Sequence, residues 1–170
     1  MRKIYALILL CIVFSCEKTK ESSTDIAPQE DTSEALTESD ISKLKYTEYV
    51  LDSDTKIITD EWEEFNQLEE QIGYIKKGDL SYFSDESEAK KSLFKGLYDN
   101  IPEDINENSI IARIKALETK IYKLEDLANL STSTQTDLLS GIKELLIAKS
   151  NLDLQMNKII ELQSQNIIKP

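Results

Sequence analysis

The chain has 170 residues and a formal net charge of −12, with 32 acidic residues against 20 basic ones, two cysteines and no histidine. This length suits one ordinary domain. The lack of histidine excludes a histidine-dependent catalytic triad and a histidine-ligated metal site. The negative charge disfavours binding to nucleic acid or to anionic lipid, because both are polyanions.

The start of the chain has the layout of a bacterial export signal. Arg2 and Lys3 give a positive beginning, and an uncharged, largely apolar run covers residues 4–14. The run is too short to cross a bilayer as a helix, which takes about 20 residues. The combination predicts a secretory signal peptide over residues 1–15. Its removal would take Cys11 with it, which excludes an internal disulfide, and would leave a charge of −14.

The end of the apolar run carries a more specific motif. Val13-Phe14-Ser15-Cys16 resembles the lipobox of bacterial lipoproteins, in which a small residue precedes an invariant cysteine. The resemblance implies that the Cys16 thiol is acylated and becomes the first residue after cleavage. Lipid chains on Cys16 would then hold the protein on a membrane. The alternative is an ordinary Cys16 thiol after a plain signal peptide.

Residues 17–38 are rich in acidic residues, serine and threonine, and they contain no aromatic residue. Such a stretch buries too little apolar surface to offset the entropy lost on ordering. We therefore expect residues 16–38 to comprise the lipidated cysteine and a disordered acidic tether. The alternative is that the stretch docks on the domain through Ile26 and Leu36.

The leader and the tether together resemble lipoproteins of the Bacteroidota, and of flavobacteria in particular. Their shared traits are the short leader, the Phe-Ser-Cys type of junction and the Glu- and Lys-rich sequence that follows it. The resemblance implies a lipid-anchored protein of the cell envelope at the outer membrane. It leaves open whether the protein faces the periplasm or the cell surface.

Beyond the tether, the apolar residues adopt helical spacing. One recurs at every seventh position at Leu44, Leu51, Ile58, Phe65 and Ile72. The pattern predicts a long first helix over residues 40–77, with N-cap candidates at Ser39 and Asp40 and a terminating glycine at Gly78. The helix is expected to be continuous, with an irregularity at the polar run 52–55, whose side chains compete for backbone hydrogen bonds.

Three further helices are predicted. A short one covers residues 84–99 and ends before Pro102. Two longer ones have apolar residues at alternating spacings of three and four, over residues 110–130 and 138–160. The polar residues 131–134 separate them, and Thr134 with Asp137 three residues later resembles a capping box at the start of the last helix. A turn this short implies an antiparallel hairpin.

The predicted fold is therefore all-α. Strands are not expected, because the chain has only four glycines and three prolines and no alternating segment bounded by turns. We expect an elongated helical bundle over residues 39–170, in which the first long helix packs along the C-terminal hairpin. The short second helix would cover one end.

Carboxylates are the most abundant candidate functional groups, with 32 in the chain. Asp52 and Asp54 begin like a calcium loop, but the glycine turn and the later ligands of such a loop are missing. Nothing in the sequence builds a catalytic cleft, so no catalytic, cofactor-binding or metal-binding residue is assigned. Five glutamates of the first helix are expected to form a solvated acidic face: Glu61, Glu63, Glu64, Glu69 and Glu70.

Three other residues stand out against the helical pattern. Lys149 falls where the last helix calls for an apolar residue; we expect it to reach solvent past its own stem, or else to fix register or partner choice as a buried polar group. Trp62 is expected in the core beside Phe65, with a role in interaction as the alternative. Gly141 allows either a close approach of the first helix or no special packing.

These observations favour a non-enzymatic, membrane-tethered envelope protein whose helical body binds a protein partner or acts as a spacer. A second hypothesis is a lipoprotein that binds a small ligand or a divalent cation in its bundle. An enzyme would need a pocket that the sequence does not reveal. The protein is either a monomer or a homodimer, since the two seam helices can pair within one chain or between two.

Overall fold

The computed structural model describes the backbone of residues 36–85 and 87–165. All regular structure in these ranges is helical, with no strand, and the all-α prediction is therefore confirmed. The predicted signal peptide (residues 1–15), the predicted lipidation site Cys16 and the tether up to residue 35 lie outside the described residues. None of the described helices is both long and apolar enough to cross a membrane.

The N-terminal part of the body is broken into short helices. Helix α1 spans Glu38–Ser42, α2 spans Ser53–Thr59 and α3 spans Glu63–Lys76. Residues 43–52, between α1 and α2, are not helical, and we call them the strap. The prediction of a continuous helix over residues 40–77 is therefore wrong.

The strap has local reasons to avoid a helix. Four of its residues are aromatic or β-branched: Tyr46, Thr47, Tyr49 and Val50. Such residues lose side-chain freedom against the preceding turn of a helix. Asp52 then takes an extended conformation, φ −69° and ψ 159°, as the N-cap residue of α2. The repeat of an apolar residue at every seventh position thus continues through a segment that is not helical.

Helix α1 begins earlier than predicted. Its N-cap is Thr37, which forms a capping box with Asp40, so the prediction that Ser39 or Asp40 is the cap is wrong. Leu36, assigned to the tether from the sequence, is partly buried against the core. The folded body therefore includes the last residues of the predicted tether, as the docking alternative held for Leu36. Ile26 lies outside the described residues.

Gly78 ends α3 in the left-handed region, with φ 87°, and the predicted terminating glycine is confirmed. A Cβ atom at this position would lie 2.5 Å from the carbonyl oxygen of Leu36. Glycine is needed here both for the backbone angle and for the close passage of the chain that enters α1.

Two short elements and a tight turn follow. Helices α4 (Tyr82–Asp85) and α5 (Ser87–Asp99) lie where one short helix was predicted, and α5 ends before Pro102 as expected. Helical structure therefore starts two residues before the predicted position, and Phe83 of α4 is buried in the core. A 3-10 turn over Glu103–Ile105 leads into the C-terminal hairpin.

The C-terminal hairpin is confirmed. Helix α6 spans Asn108–Asn129 and α7 spans Gln135–Ser164. Thr134 and Asp137 form the capping box that starts α7, as the sequence predicts. The two helices run antiparallel, since Lys120 near the middle of α6 pairs with Glu144 near the start of α7 at 2.9 Å.

Apolar residues from both helices of the hairpin are buried in one core. Those of α6 are Ile110, Ile114, Leu117, Ile121 and Leu124. Those of α7 include Ile142, Leu145, Leu152, Met156 and Ile159. A Cβ atom on Gly141 would lie 2.9 Å from Leu127 Cδ1 and 3.1 Å from Leu124 Cδ1. The close approach at Gly141 therefore comes from α6 and not from the first helix.

Two glycine substitutions test the fold with opposite expected signs. Gly78→Ala should lower the free energy of unfolding by at least about 1–2 kcal/mol, because alanine resists the left-handed backbone. Gly73→Ala, in α3, places a methyl group with no atom within 4 Å. It should raise that free energy by about 0.5–1 kcal/mol, because alanine favours the helix. Urea unfolding followed by circular dichroism measures both, and destabilisation by Gly73→Ala would contradict the assignment of α3.

Candidate functional site

A cleft of about 530 Å³ opens between the strap, α2, α3 and α7. The strap forms one wall with Tyr46, Tyr49 and Val50, while α3 contributes Ile72 and α7 contributes Leu146. Its size lies in the range of small-ligand sites, about 300–1,000 Å³. It is the place in the described body where a wall without regular structure meets buried charged side chains, and we treat it as the candidate site.

Two side chains of α7 hold the strap through its backbone. The Tyr49 N–H donates to Ser150 Oγ at 2.6 Å, and the Ser150 hydroxyl donates to the Thr47 carbonyl at 3.0 Å. Two helical turns further along α7, Asn157 makes a second contact of this kind: the Asp52 N–H donates to Asn157 Oδ1 at 2.9 Å.

The Asn157 amide completes this arrangement by donating to the Val50 carbonyl at 2.7 Å. Ser150 and Asn157 each therefore accept one strap N–H and donate to one strap carbonyl. These bonds satisfy backbone groups that a helix would otherwise have paired. They explain why the strap is stable without regular structure of its own.

The floor of the cleft is a three-membered ion cluster. The Lys149 ammonium donates to both carboxylate oxygens of Asp153 at 2.7 Å. It also forms an ion pair with Glu69 of α3 and lies 5.0 Å from the centre of the Phe65 ring. The side chains of Lys149 and Asp153 are only 9% and 7% exposed. We call Glu69, Lys149 and Asp153 the floor cluster.

Burial sets the ionisation of the floor cluster. Loss of water around the carboxyl raises the pKa of Asp153 from 3.8 to about 6, and the charge of Glu69 adds to the rise. Lys149 opposes the shift but is shared between two carboxylates, so it neutralises only one of them. The floor cluster therefore carries one uncompensated negative charge when both carboxyls are ionised.

The other charged groups of the cleft are already paired. Lys76 Nζ of α3 lies 2.6 Å from Glu48 Oε1 of the strap, and this hydrogen bond lowers the pKa of Glu48. Lys56 Nζ of α2 lies 3.6 Å from the carboxylate of Asp60, the C-cap residue of the same helix. Every lysine that lines the cleft is thus within ion-pair distance of a carboxylate.

Apolar side chains of the strap and α2 are exposed to solvent. Val50 is 72% exposed and Ile57 is 70% exposed, and Tyr49 beside Val50 is 40% exposed. Val50 and Tyr49 line the cleft, and Ile57 follows the cleft residue Lys56 on α2. We call Tyr49, Val50 and Ile57 the apolar rim. Exposed apolar side chains beside a cleft, as at Tyr49 and Val50, are a mark of binding surfaces.

Of the three residues that stand out against the helical pattern, Lys149 and Trp62 have different outcomes. Lys149 does not extend to open solvent, so that expectation is wrong; the structure shows the alternative, a buried polar group. Asp153 and Glu69 pair with the buried side chain, and only the folded chain brings Glu69 there. Trp62 is 2% exposed and stacks on Phe65 with ring centres 5.3 Å apart, which confirms its place in the core.

The five glutamates expected to form one solvated face have different surroundings. Only Glu69 among them lines the cleft. Glu64 accepts a hydrogen bond from the Asn100 side chain at 2.7 Å, and Glu70 accepts one from the Tyr74 hydroxyl at 3.1 Å. Glu69 is 42% exposed and so remains partly solvated, but it also pairs with the buried Lys149, which the expectation of a plain acidic face did not include.

Sequence reasoning missed a second buried lysine. Lys90 of α5 is fully buried, with Nζ 3.0 Å from Glu125 and 3.3 Å from the Tyr82 carbonyl. The Phe83 ring also lies 6.0 Å away. Lys90 lies three residues before Leu93 and so belongs to the apolar stripe of α5. This spacing is the feature of the sequence that indicates its burial. Lys90 lies away from the cleft and links α5 to α6.

The described residues contain no group of three or more acidic or cysteine side chains close enough to hold a metal ion. Asp52 and Asp54, which resemble the start of a calcium loop, instead begin α2, where Asp52 is the N-cap. In the floor cluster, the Lys149 ammonium lies between the two carboxylates.

Comparison of the chain with protein-family models, with curated proteins and with solved structures finds no match. A function can therefore be proposed only from the sequence motif at Cys16 and from the chemistry of the cleft.

Removal of the Lys149 charge tests the floor cluster. Lys149→Met should lower the free energy of unfolding by about 2–4 kcal/mol, because it leaves the buried Asp153 carboxyl without its partner. Water in the cleft reduces the loss relative to a dry interior. Chemical denaturation of the purified chain measures it.

A double variant provides the control for this prediction. Lys149→Met with Asp153→Leu removes both buried charges, and the half-exposed Glu69 can turn to water. It should recover most of the lost stability, because a buried ion pair contributes little beyond an apolar pair of similar volume. If the double variant is less stable than Lys149→Met alone, the unpaired Asp153 carboxyl is not the cause of the destabilisation.

Proposed function

We propose that the protein is a lipid-anchored component of the bacterial cell envelope whose helical body is a non-catalytic protein-interaction module. Support for the anchor comes from the Val13-Phe14-Ser15-Cys16 motif after a short apolar leader. Two or more acyl chains on Cys16 would hold a protein on a membrane stably, since each buried CH₂ contributes about 0.8 kcal/mol.

The single observation that supports the interaction role best is the apolar rim. Tyr49, Val50 and Ile57 are exposed to water at 40–72% although the chain has ample apolar core elsewhere. The rim adjoins a cleft with charged groups, so a partner would meet apolar contact and polar specificity on one face. A spacer would need neither feature, and the interaction role is therefore preferred to the spacer.

A second candidate function is the binding of a small ligand in the cleft. The cleft volume of about 530 Å³ and its mixed lining of aromatic, aliphatic and charged side chains favour it. A divalent cation has less support, because two carboxylates of the cleft already share the Lys149 ammonium.

The lipid anchor is tested by substitution of the acceptor thiol. Cys16→Ser should abolish incorporation of a clickable palmitate analogue and move the protein from the membrane to the soluble fraction, because the acyl chains are the only predicted attachment. Cys11→Ser is the matched control and should leave labelling and fractionation unchanged. Full labelling of the Cys16→Ser protein would refute the anchor.

The interaction face is tested by site-specific photo-cross-linking in cells. A photoreactive amino acid at Val50 or at Ile57 should capture one and the same partner protein, because both positions belong to the apolar rim. Leu130, which is 55% exposed in the hairpin turn, is the matched control and should not capture it. Identical products at all three positions, or none at the rim, would contradict the interaction role.

A further inference from the structure

The charge of the cleft is unbalanced. Seven charged side chains line it, and four carboxylates face three lysines: Glu48, Asp60, Glu69, Asp153, Lys56, Lys76 and Lys149. The opposite charges cancel within the Lys76–Glu48 pair and within the Lys56–Asp60 pair. The extra negative charge of the cleft therefore lies on the floor cluster. The chain as a whole is also acidic, at −12, so long-range attraction favours cations.

The floor cluster retains unused acceptor capacity. Two ionised carboxylates offer about eight lone-pair positions, whereas one ammonium has three donors. Among the described residues, Lys149 is the only side chain within bonding distance of either Glu69 or Asp153. A ligand that brings further N–H donors would therefore find acceptors at the bottom of the cleft.

The same geometry disfavours other kinds of ligand. An anion would have to take a lysine away from its carboxylate, because each cleft lysine is already paired. A bare metal ion needs several oxygen ligands, and the described residues bring no group of three acidic side chains close enough to supply them. A cationic group with N–H donors meets neither obstacle, since it can add to the free side of the carboxylates.

Apolar side chains line the way to the floor cluster. Tyr49, Val50 and Leu51 line the strap wall, with Ile72 of α3 and Leu146 of α7 among the opposing residues. Such walls suit the methylene stem that carries an amine or a guanidinium in common biological cations.

We propose that the cleft is a binding site for an organic cation, an ammonium or guanidinium group on a short aliphatic stem, held by Glu69 and Asp153. This inference deepens the second candidate function, on which it rests. The shared chemistry covers a free small amine and the lysine or arginine side chain of a peptide, and the test below separates these sources.

The test uses the purified chain and a matched set of four-carbon probes. Butylguanidinium and butylammonium should shift backbone amide resonances of Tyr49 and Ser150 in a nitrogen-15 NMR titration, whereas butyrate and 1-butanol should not. Glu69→Gln and Asp153→Asn should each weaken binding of the cations about tenfold, because each removes a charged hydrogen bond. Glu70→Gln, on the same helix but outside the cleft, should leave the affinity unchanged.

The two sources are separated by a capped Gly-Arg-Gly peptide and its Gly-Gln-Gly counterpart. Tighter binding of the arginine peptide than of butylguanidinium supports a peptide ligand, and equal or weaker binding supports a free cation. Under either result, Glu69→Gln should lower the affinity for the bound cation or peptide. Glu69 is half-exposed, so this variant should fold, and circular dichroism verifies that it does.

Three outcomes would overturn the inference. Cation affinity unchanged in both Glu69→Gln and Asp153→Asn would show that the carboxylates do not hold the ligand. Binding of butyrate but not of the cations would refute the cation assignment, while the binding of a small ligand in the cleft would remain supported. No shift with any probe at tens of millimolar would reject both, and the protein-interaction role would still be decided separately by the cross-links at Val50 and Ile57.

Discussion

Helix α7 must be covered on more than one side, and the rest of the body is arranged by this constraint. One side carries Leu145, Leu152 and Met156, which are buried in the core together with the apolar residues of α6. A second side carries Ser150 and Asn157, which bind the strap by its backbone. In a hairpin alone this second side would face water, but Ser150 is only 3% exposed, so another part of the chain must cover it and pair its hydroxyl. The strap supplies the missing cover, and the cleft is the space left between the strap, α3 and α7.

Buried lysines join elements that are distant in sequence. Lys149 links α7 to Glu69 of α3, and Lys90 links α5 to Glu125 of α6. Each ammonium is also near an aromatic ring, within 5.0–6.0 Å of its centre. Pairs of this kind add little to stability, yet they penalise misplacement strongly, because a buried charge without its partner is costly. The two lysines thus favour one relative placement of the helices they connect.

The sequence predicts the hairpin well because the relevant information is local. Alternating apolar spacing, the Thr134 capping box and Gly78 each depend on a few neighbouring residues. The strap could not be predicted from apolar spacing, because Leu44 and Leu51 continue the sevenfold pattern across it; the run of aromatic and β-branched residues was the contrary signal. The burial of Lys149 depends on Glu69, and no local pattern reveals a partner brought by the fold. The candidate site therefore could not be predicted, although the sequence pattern singles out Glu69 and Lys149 among its charged residues.

The attachment of the strap to α7 uses main-chain atoms on the strap side. Ser150 and Asn157 recognise N–H and carbonyl groups, which every residue except proline offers. The outward side chains of the strap are therefore not constrained by its anchorage. Related sequences would be free to diverge at Tyr49 and Val50 while they keep the serine and the asparagine, and an engineer could exchange these strap side chains to redirect recognition without redesigning the bundle.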